Sequence, residues 1–174
     1  MNLALIFAGG TGTRMNSKTK PKQFLELNGK PIIIHTIELF ESHPEIDAIA
    51  VVCLESWIGY LNELLERFRI KKVKYVVPGG ETGQQSIRNG LTAFWDDQDI
   101  PRDSLVLIHD GVRPLINEDI ITRSIECAKQ YGNAITVTPA IETIITVSED
   151  DSVDQIMDRS KCRMARAPQT FRLC

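Results

Sequence analysis

Short apolar runs alternate along this chain with longer segments whose apolar residues recur every three or four positions. The runs predict strands near residues 2–7, 47–54, 72–77, 104–108 and 133–137. Between them the spacing predicts helices near 31–42, 56–68, 82–95 and 117–131. Pro31 suits a first helical turn ahead of Ile32, Ile33, Ile34 and Ile37. Thr82 with Gln85 has the form of a capping box, and Ile87, Leu91 and Phe94 then mark one helical face. Strands alternating with helices predict an α/β domain with a mostly parallel sheet covered on both faces. In such sheets a ligand sits beyond the carboxyl ends of the strands, near a reversal of strand order.

The pattern changes after Pro139. Glu142–Val147 is rich in β-branched residues, Ser148–Ser152 is an acidic turn, and Val153–Met157 can return antiparallel. A projecting β-hairpin arm over about 139–160 is expected, and the pattern alone fits an edge hairpin as well as an interaction arm. No internal repeat or low-complexity segment interrupts the chain, so its 174 residues form one domain with a substantial core.

Composition adds little beyond exclusions. Hydrophobic content of 43% and charged content of 25% are ordinary for a globular domain. A net charge of −3 carries no footprint for nucleic acid. The longest apolar run, Ala48–Leu54, is too short to cross a bilayer, and strand residues directly after Met1 leave no room for a signal peptide. Cys53, Cys127, Cys162 and Cys174 form no C-x-x-C pair, which predicts reduced thiols in a cytoplasmic protein, with Cys53 buried in a strand.

Local charge changes the picture. The first apolar run, Asn2–Phe7, leads into Ala8, Gly9, Gly10, Thr11 and Gly12, and then Arg14, Lys18, Lys20 and Lys22 follow with no acid among them. Glycines permit positive φ and close approach, and a loop of this kind turns several N–H groups towards one anion. Loop and cations together predict a nucleotide-phosphate site. It is no P-loop, because no Gly-Lys-Ser/Thr triplet follows. Nor is it a dinucleotide fingerprint, since Met15 stands where glycine or alanine is needed. A second glycine turn, Pro78–Ser86, ends another strand just before the capped helix, whose first turn offers free N–H donors. A third segment, Ile108–Pro114, should deliver Asp110 and Arg113 to the same rim. An Asp facing a triphosphate suits Mg²⁺, which takes few carboxylates and keeps phosphate oxygens and waters. An Asp110–Arg113 pair that merely stabilises a turn is the plainer alternative. His109 reads as a packed strand-end residue, and His35 and His43 have no partner that suggests a role.

The run AGGTGTRM at 8–15, with TKPKQF at 19–24 and NGKPIIIHT at 28–36, resembles the opening of sugar- and polyol-phosphate nucleotidyltransferases. PGGETGQQSI at 78–87, IHDGVRP at 108–114 and DRSKCRMARAPQTF at 158–171 narrow this to the CTP:polyol-phosphate cytidylyltransferases. The motifs fall in the family's order from residue 3 to about 171. Ala8-Gly9-Gly10, Thr82-Gly83-Gln84, Asp110-Gly111-Val112-Arg113 and Ala167-Pro168-Gln169 each depart from the methylerythritol-phosphate branch, which favours the ribitol-phosphate branch.

The resemblance implies a Rossmann-like fold of the nucleotide-diphospho-sugar transferase type. It also implies transfer of a cytidylyl group from CTP to a small polyol phosphate, in a homodimer joined through the arm. Ala8, Gly9, Gly10, Thr11, Gly12, Gly80, Glu81, Ser86, Asp110 and Gly111 would hold the nucleotide. Arg14 and Lys22 would be catalytic, binding the phosphates as the α-phosphorus becomes five-coordinate. Asp110 would hold Mg²⁺ or another divalent cation. Arg113 would bind the polyol phosphate, as would Thr143 and Arg159, reaching from the arm of a partner subunit. Chains of the family continue further, so a C-terminal segment that adds a lysine and a threonine to the site is expected to be missing. Rival readings are the erythritol substrate, another nucleotide, and a CTP-binding dimer module without turnover.

Overall fold

The computed structural model describes residues 1–10 and 20–174. Its main strands are β1 (Asn2–Ala8), β4 (Ala48–Cys53), β5 (Val73–Pro78), β6 (Leu105–Asp110), β7 (Asn133–Pro139) and β10 (Arg163–Arg172). Two short pairs, β2 (Glu26–Leu27) with β3 (Lys30–Pro31) and β8 (Ile145–Val147) with β9 (Val153–Ile156), stand outside that sheet. The helices are α1 (Ile32–Glu41), α2 (Ile58–Arg67), α3 (Gly83–Trp95) and α4 (Glu118–Tyr131). No helix among the described residues is long and apolar enough to cross a membrane.

The strands line up as β5-β4-β1-β6-β10-β7. β1 pairs in parallel with β4 and with β6, and β4 pairs in parallel with β5. β10 runs antiparallel to both β6 and β7, so it alone opposes the common direction. The chain builds outward from β1 to β5, then returns to the other side of β1 with β6. That reversal makes the carboxyl end of β1 the switch point at which such sheets bind ligands.

Both faces of the central strands are buried, which explains their unbroken apolar runs. On one face Ile6, Ile49, Val51 and Leu107 pack with Ile33, Ile37 and Phe40 of α1, Leu61 of α2, and Ile121 and Ile125 of α4. On the other, Leu3, Leu5, Val52 and Val106 meet Phe94 and Leu91 of α3. Gly90 permits that approach, since a Cβ there would lie 2.8 Å from Leu5 Cδ1 and 2.9 Å from Val52 Cγ2. Cys53 is fully buried at the end of β4, and burial pushes its thiol up to about 11. All four cysteines are free.

The expected parallel sheet with helices on both faces is therefore present, with two additions. β10 was not anticipated, because Pro168 in the middle of its sequence argues against a central strand. The structure resolves that conflict with a bulge. Pairing with β7 jumps from Ala165↔Val137 to Gln169↔Ile135, so Arg166, Ala167 and Pro168 stand opposite Thr136 alone. Thr136 Oγ1 donates to the Pro168 carbonyl at 2.7 Å, and the Ala167–Pro168 peptide is cis. The second addition is the β2–β3 hairpin. Asn28 and Gly29, with φ of 52° and 75°, form the primed turn that a two-residue hairpin requires.

The arm is shorter in strand than expected, at 145–147 and 153–156, and its apolar side chains face outward. Val147 is 54%, Val153 59% and Ile156 67% exposed.

Candidate active site

Three loops meet at the carboxyl ends of β1, β5 and β6. Gly9 follows β1 directly, and a Cβ placed on it would lie 2.9 Å from Ser86 Oγ and 3.3 Å from Gly79 Cα. The glycine is required here by closeness, not by conformation. Among described glycines only Gly29 and Gly132 have positive φ, so Gly9 and Gly10 do not use the left-handed freedom that glycine permits. Gly111 makes the matching contact on the other side, where a Cβ would come within 2.9 Å of Ala8 Cβ. The first loop thus touches both of the others.

The second loop is fixed by α3. Gln85 N–H donates to Thr82 Oγ1 at 3.1 Å and Thr82 N–H to Gln85 Oε1 at 3.2 Å, completing the expected capping box. Ser86, one residue on, accepts the Gly80 N–H on its Oγ at 3.0 Å. Asn89 Nδ2 donates to the Pro78 carbonyl at 3.0 Å, and Gly79 N–H donates to the Cys53 carbonyl at 2.8 Å. The positive end of the helix dipole consequently faces the space beside Gly80 and Glu81.

The third loop is tied from within and from below. Asp110 Oδ1 accepts the Val112 N–H and Oδ2 accepts Arg113 Nε–H, each at 3.2 Å. Gly111 N–H donates to the Phe7 carbonyl at 3.0 Å, and buried Thr36 Oγ1 donates to the Gly111 carbonyl at 3.0 Å. His109 is buried against Phe40, and its Nε2 lies 3.0 Å from the Arg113 carbonyl. A carbonyl accepts, so Nε2 carries the proton, and Nδ1 has no partner among the described residues. Burial pushes the imidazole pKa down, opposed in part by the Arg113 bond and the Asp110 charge. His109 is a neutral clamp beneath the loop.

Lys22 reaches the rim through its neighbours. It opens a 3₁₀ turn, Lys22–Phe24, anchored by buried Phe24 stacked on Trp57 with ring centroids 4.9 Å apart. Gln23 between them is buried and donates its Nε2 to the Ala8 carbonyl at 2.7 Å and the Gly10 carbonyl at 3.4 Å. The turn is thereby locked against the start of the first loop. Thr11, Gly12, Arg14 and Lys18 lie outside the described residues.

The structure therefore brings together Ala8, Gly9, Gly10, Gly80, Glu81, Ser86, Asp110, Gly111 and Arg113, with Lys22 adjoining. It does not bring Thr143 or Arg159 to that rim within one chain. Both are exposed on the arm, where Arg159 Nη1 donates to the Ile141 carbonyl at 2.9 Å. Sequence reasoning missed Gln23, Thr36 and the bulge residues Arg166 and Gln169. A lone glutamine and a threonine inside a helix carry no periodic signal, and the bulge was hidden with its strand.

A cleft of about 230 Å³ opens beside Asp110, between β6, the β10 bulge and the start of α3, lined by Ile87, Ile108, Asp110, Arg113, Arg166 and Gln169 among others. A larger groove of about 520 Å³ against α1 shares no lining residue with it.

Comparison with known proteins decides which nucleotide chemistry this rim belongs to. Residues 2–174 match the family IspD, 2-C-methyl-D-erythritol 4-phosphate cytidylyltransferase. The chain belongs to this family. It is 58% identical over 173 residues to a ribitol-5-phosphate cytidylyltransferase of Vibrio parahaemolyticus, covering 99% of this chain and 72% of that protein. A ribitol-5-phosphate cytidylyltransferase of Streptococcus agalactiae is 52% identical with the same coverage. A 2-C-methyl-D-erythritol 4-phosphate cytidylyltransferase of Clostridium acetobutylicum is 40% identical over 173 residues, covering 99% of this chain and 72% of its own length. The fold matches a crystal structure of 4-diphosphocytidyl-2C-methyl-D-erythritol synthase from Anaerococcus prevotii with a TM-score of 0.80 at 25% identity, covering 98% of this chain and 69% of that one. Cytidylyltransferases are nucleotidyltransferases, so the loops described above belong to a nucleotidyltransferase domain.

Proposed function

We propose that this cytidylyltransferase joins CTP to D-ribitol 5-phosphate, giving CDP-ribitol and pyrophosphate for a teichoic acid or capsule polymer in the cytoplasm. The convergence of three loops at the switch point carries the nucleotide part of this reading. Ribitol enzymes at 58% and 52% identity, against 40% for a methylerythritol enzyme, support the acceptor. Methylerythritol phosphate is the alternative acceptor, favoured by the family profile alone.

In this reading the cytosine and ribose lie over Gly9, Gly80, Glu81, Ser86 and Gly111, too close to backbone to admit a larger base. Lys22 and Arg14 are the residues assigned to the phosphates. The acceptor's phosphate oxygen attacks the α-phosphorus in line, the bond from that phosphorus to the bridging oxygen breaks, and pyrophosphate leaves with the electron pair. The attacking oxygen is already anionic, so no general base is needed, and the one ring N–H proton of neutral His109 stays donated to the Arg113 carbonyl. Positioning and charge neutralisation supply the catalysis.

The donor set suits Mg²⁺ at Asp110. Among the described residues no cluster of three or more metal-ligating side chains exists, which excludes an all-protein cage there. One carboxylate at a phosphate site is what Mg²⁺ takes while keeping phosphate and water oxygens. The cation would supply further neutralisation of the triphosphate. Thr143 and Arg159 act, in this reading, from the arm of a second subunit, and the outward Val147, Val153 and Ile156 are the apolar surface that such a dimer buries. Incubation with CTP and Mg²⁺ plus each polyol phosphate in turn tests the assignment. Pyrophosphate release with ribitol 5-phosphate is expected, and release with methylerythritol phosphate alone would overturn it.

A further inference from the structure

The cleft beside Asp110 holds about 230 Å³, below the about 300–1,000 Å³ of pockets for drug-sized ligands. Its charged lining is Asp110, Arg113 and Arg166. The two arginines are not equivalent. Arg113 is already engaged by the Asp110 carboxylate at 3.2 Å. Arg166 has no ion-pair partner among the described residues, and its only side-chain bond runs from Nε to Thr138 Oγ1 at 3.3 Å. Both terminal nitrogens of its guanidinium are left for a ligand.

The backbone explains why this arginine stands at the cleft. Arg166 is the first residue of the bulge, where β10 leaves register with β7, and bulges re-aim side chains at sites of this kind. The bulge is pinned at several points. Thr136 Oγ1 donates to the Pro168 carbonyl at 2.7 Å, Thr138 receives the guanidinium, and Gln169 Nε2 donates to the Arg166 carbonyl at 3.3 Å. Without the extra residues the strand would continue its pleat and carry position 166 to another register.

Resting on the function proposed above, we infer that Arg166 is an acceptor-binding residue, gripping the phosphate of the incoming polyol phosphate. Two anions must meet in this reaction, and the triphosphate already draws on Lys22 and the basic segment near it. An uncommitted guanidinium in the cleft beside Asp110 adds, to the Arg159 proposed from the arm, a cation for the second reactant. Its planar fork suits a phosphate bidentately, which an ammonium cannot match.

The same guanidinium chemistry could serve the triphosphate instead, and steady-state kinetics separates the two. Arg166→Ala is expected to raise KM for ribitol 5-phosphate by about 10- to 100-fold, the scale of one lost charge-assisted hydrogen bond, with KM for CTP within twofold of wild type. Arg166→Lys should recover only part of that loss, and Arg123→Ala, an exposed cation on α4, should leave both constants unchanged. An unchanged thermal midpoint in Arg166→Gln would confirm that the effect is not misfolding. An acceptor KM within twofold of wild type, or equal rises for both substrates, would overturn the role of Arg166 while leaving the transferase assignment intact. A wild-type enzyme that releases no pyrophosphate with any polyol phosphate would overturn both.

Discussion

Replacing Gly9 by alanine tests whether closeness of the loops, not glycine flexibility, builds the nucleotide rim. The new methyl carbon would sit 2.9 Å from Ser86 Oγ and 3.3 Å from Gly79 Cα. Ordinary contact begins near 3.5 Å, so the first and second loops must separate by roughly 0.6 Å. Ser86 cannot yield freely, because its Oγ holds the Gly80 N–H at 3.0 Å. Overpacking of this kind costs about 1–3 kcal/mol, and the reduced freedom of the unfolded chain returns about 0.4–1 kcal/mol. Urea denaturation should therefore show a net loss of about 1–2 kcal/mol for Gly9→Ala. KM for CTP should rise tenfold or more, because displacement of positioning groups by fractions of an ångström is costly. The sharper test is a cycle with Ser86→Ala. Once Oγ is gone, the nearest atoms to the methyl are Gly79 Cα at 3.3 Å and the residue-86 Cβ at 3.6 Å. The double variant should be less destabilised than the sum of the singles by about 1 kcal/mol. Strict additivity, or a Gly9→Ala protein with wild-type stability and CTP affinity, would refute the close-contact account.

Three further outcomes follow from the same geometry. Lys22→Ala should lower kcat by about 10²–10³ with little change in the denaturation midpoint, the scale for one charge-stabilising donor; turnover within tenfold of wild type would remove it from that role. Asp110→Asn should raise the Mg²⁺ concentration needed for half-maximal pyrophosphate release while stability changes by less than about 1 kcal/mol, because Asn keeps an acceptor for Val112 N–H and loses only a half-exposed ion pair. Parallel loss of activity and stability would mark Asp110 as structural. His109 has its pKa held below the ordinary 6.5, so the fold binds fewer protons than the unfolded chain as pH drops through that value. Its contribution is fully present above about pH 6.5 and lost as pH falls towards the folded value. The urea midpoint of wild type should decline on acidification through 6.5, and decline less in His109→Gln; identical slopes would contradict a buried neutral imidazole.

Much of this was legible in the letters. Apolar runs located the five strands that share one direction and the helices between them, because burial on both faces of the central strands leaves a continuous apolar run that glycines and caps punctuate. The capping box at Thr82 and Gln85 was readable because it is a local exchange of two hydrogen bonds. What escaped was set by tertiary neighbours. Gly9 is needed because Ser86 and Gly79, far along the chain, press against it, and no local rule says so. Gln23 matters only through the carbonyls of Ala8 and Gly10. The strand carrying Arg166 and Gln169 was concealed by Pro168, whose missing N–H is harmless only at a bulge that the partner strand must accommodate.

The order of the sheet has a consequence for synthesis on the ribosome. Residues as far as Arg113 already contain β1, β4, β5 and β6, so the strand ends at which the three loops meet are made before β7 and β10. β7 emerges next yet has no neighbour in the sheet until β10 arrives to lie between it and β6. For the length of chain from Asn133 to Arg163 the outer edge of β6 is an open template for any passing strand. That exposure ends only when β10 is inserted, antiparallel, between β6 and β7.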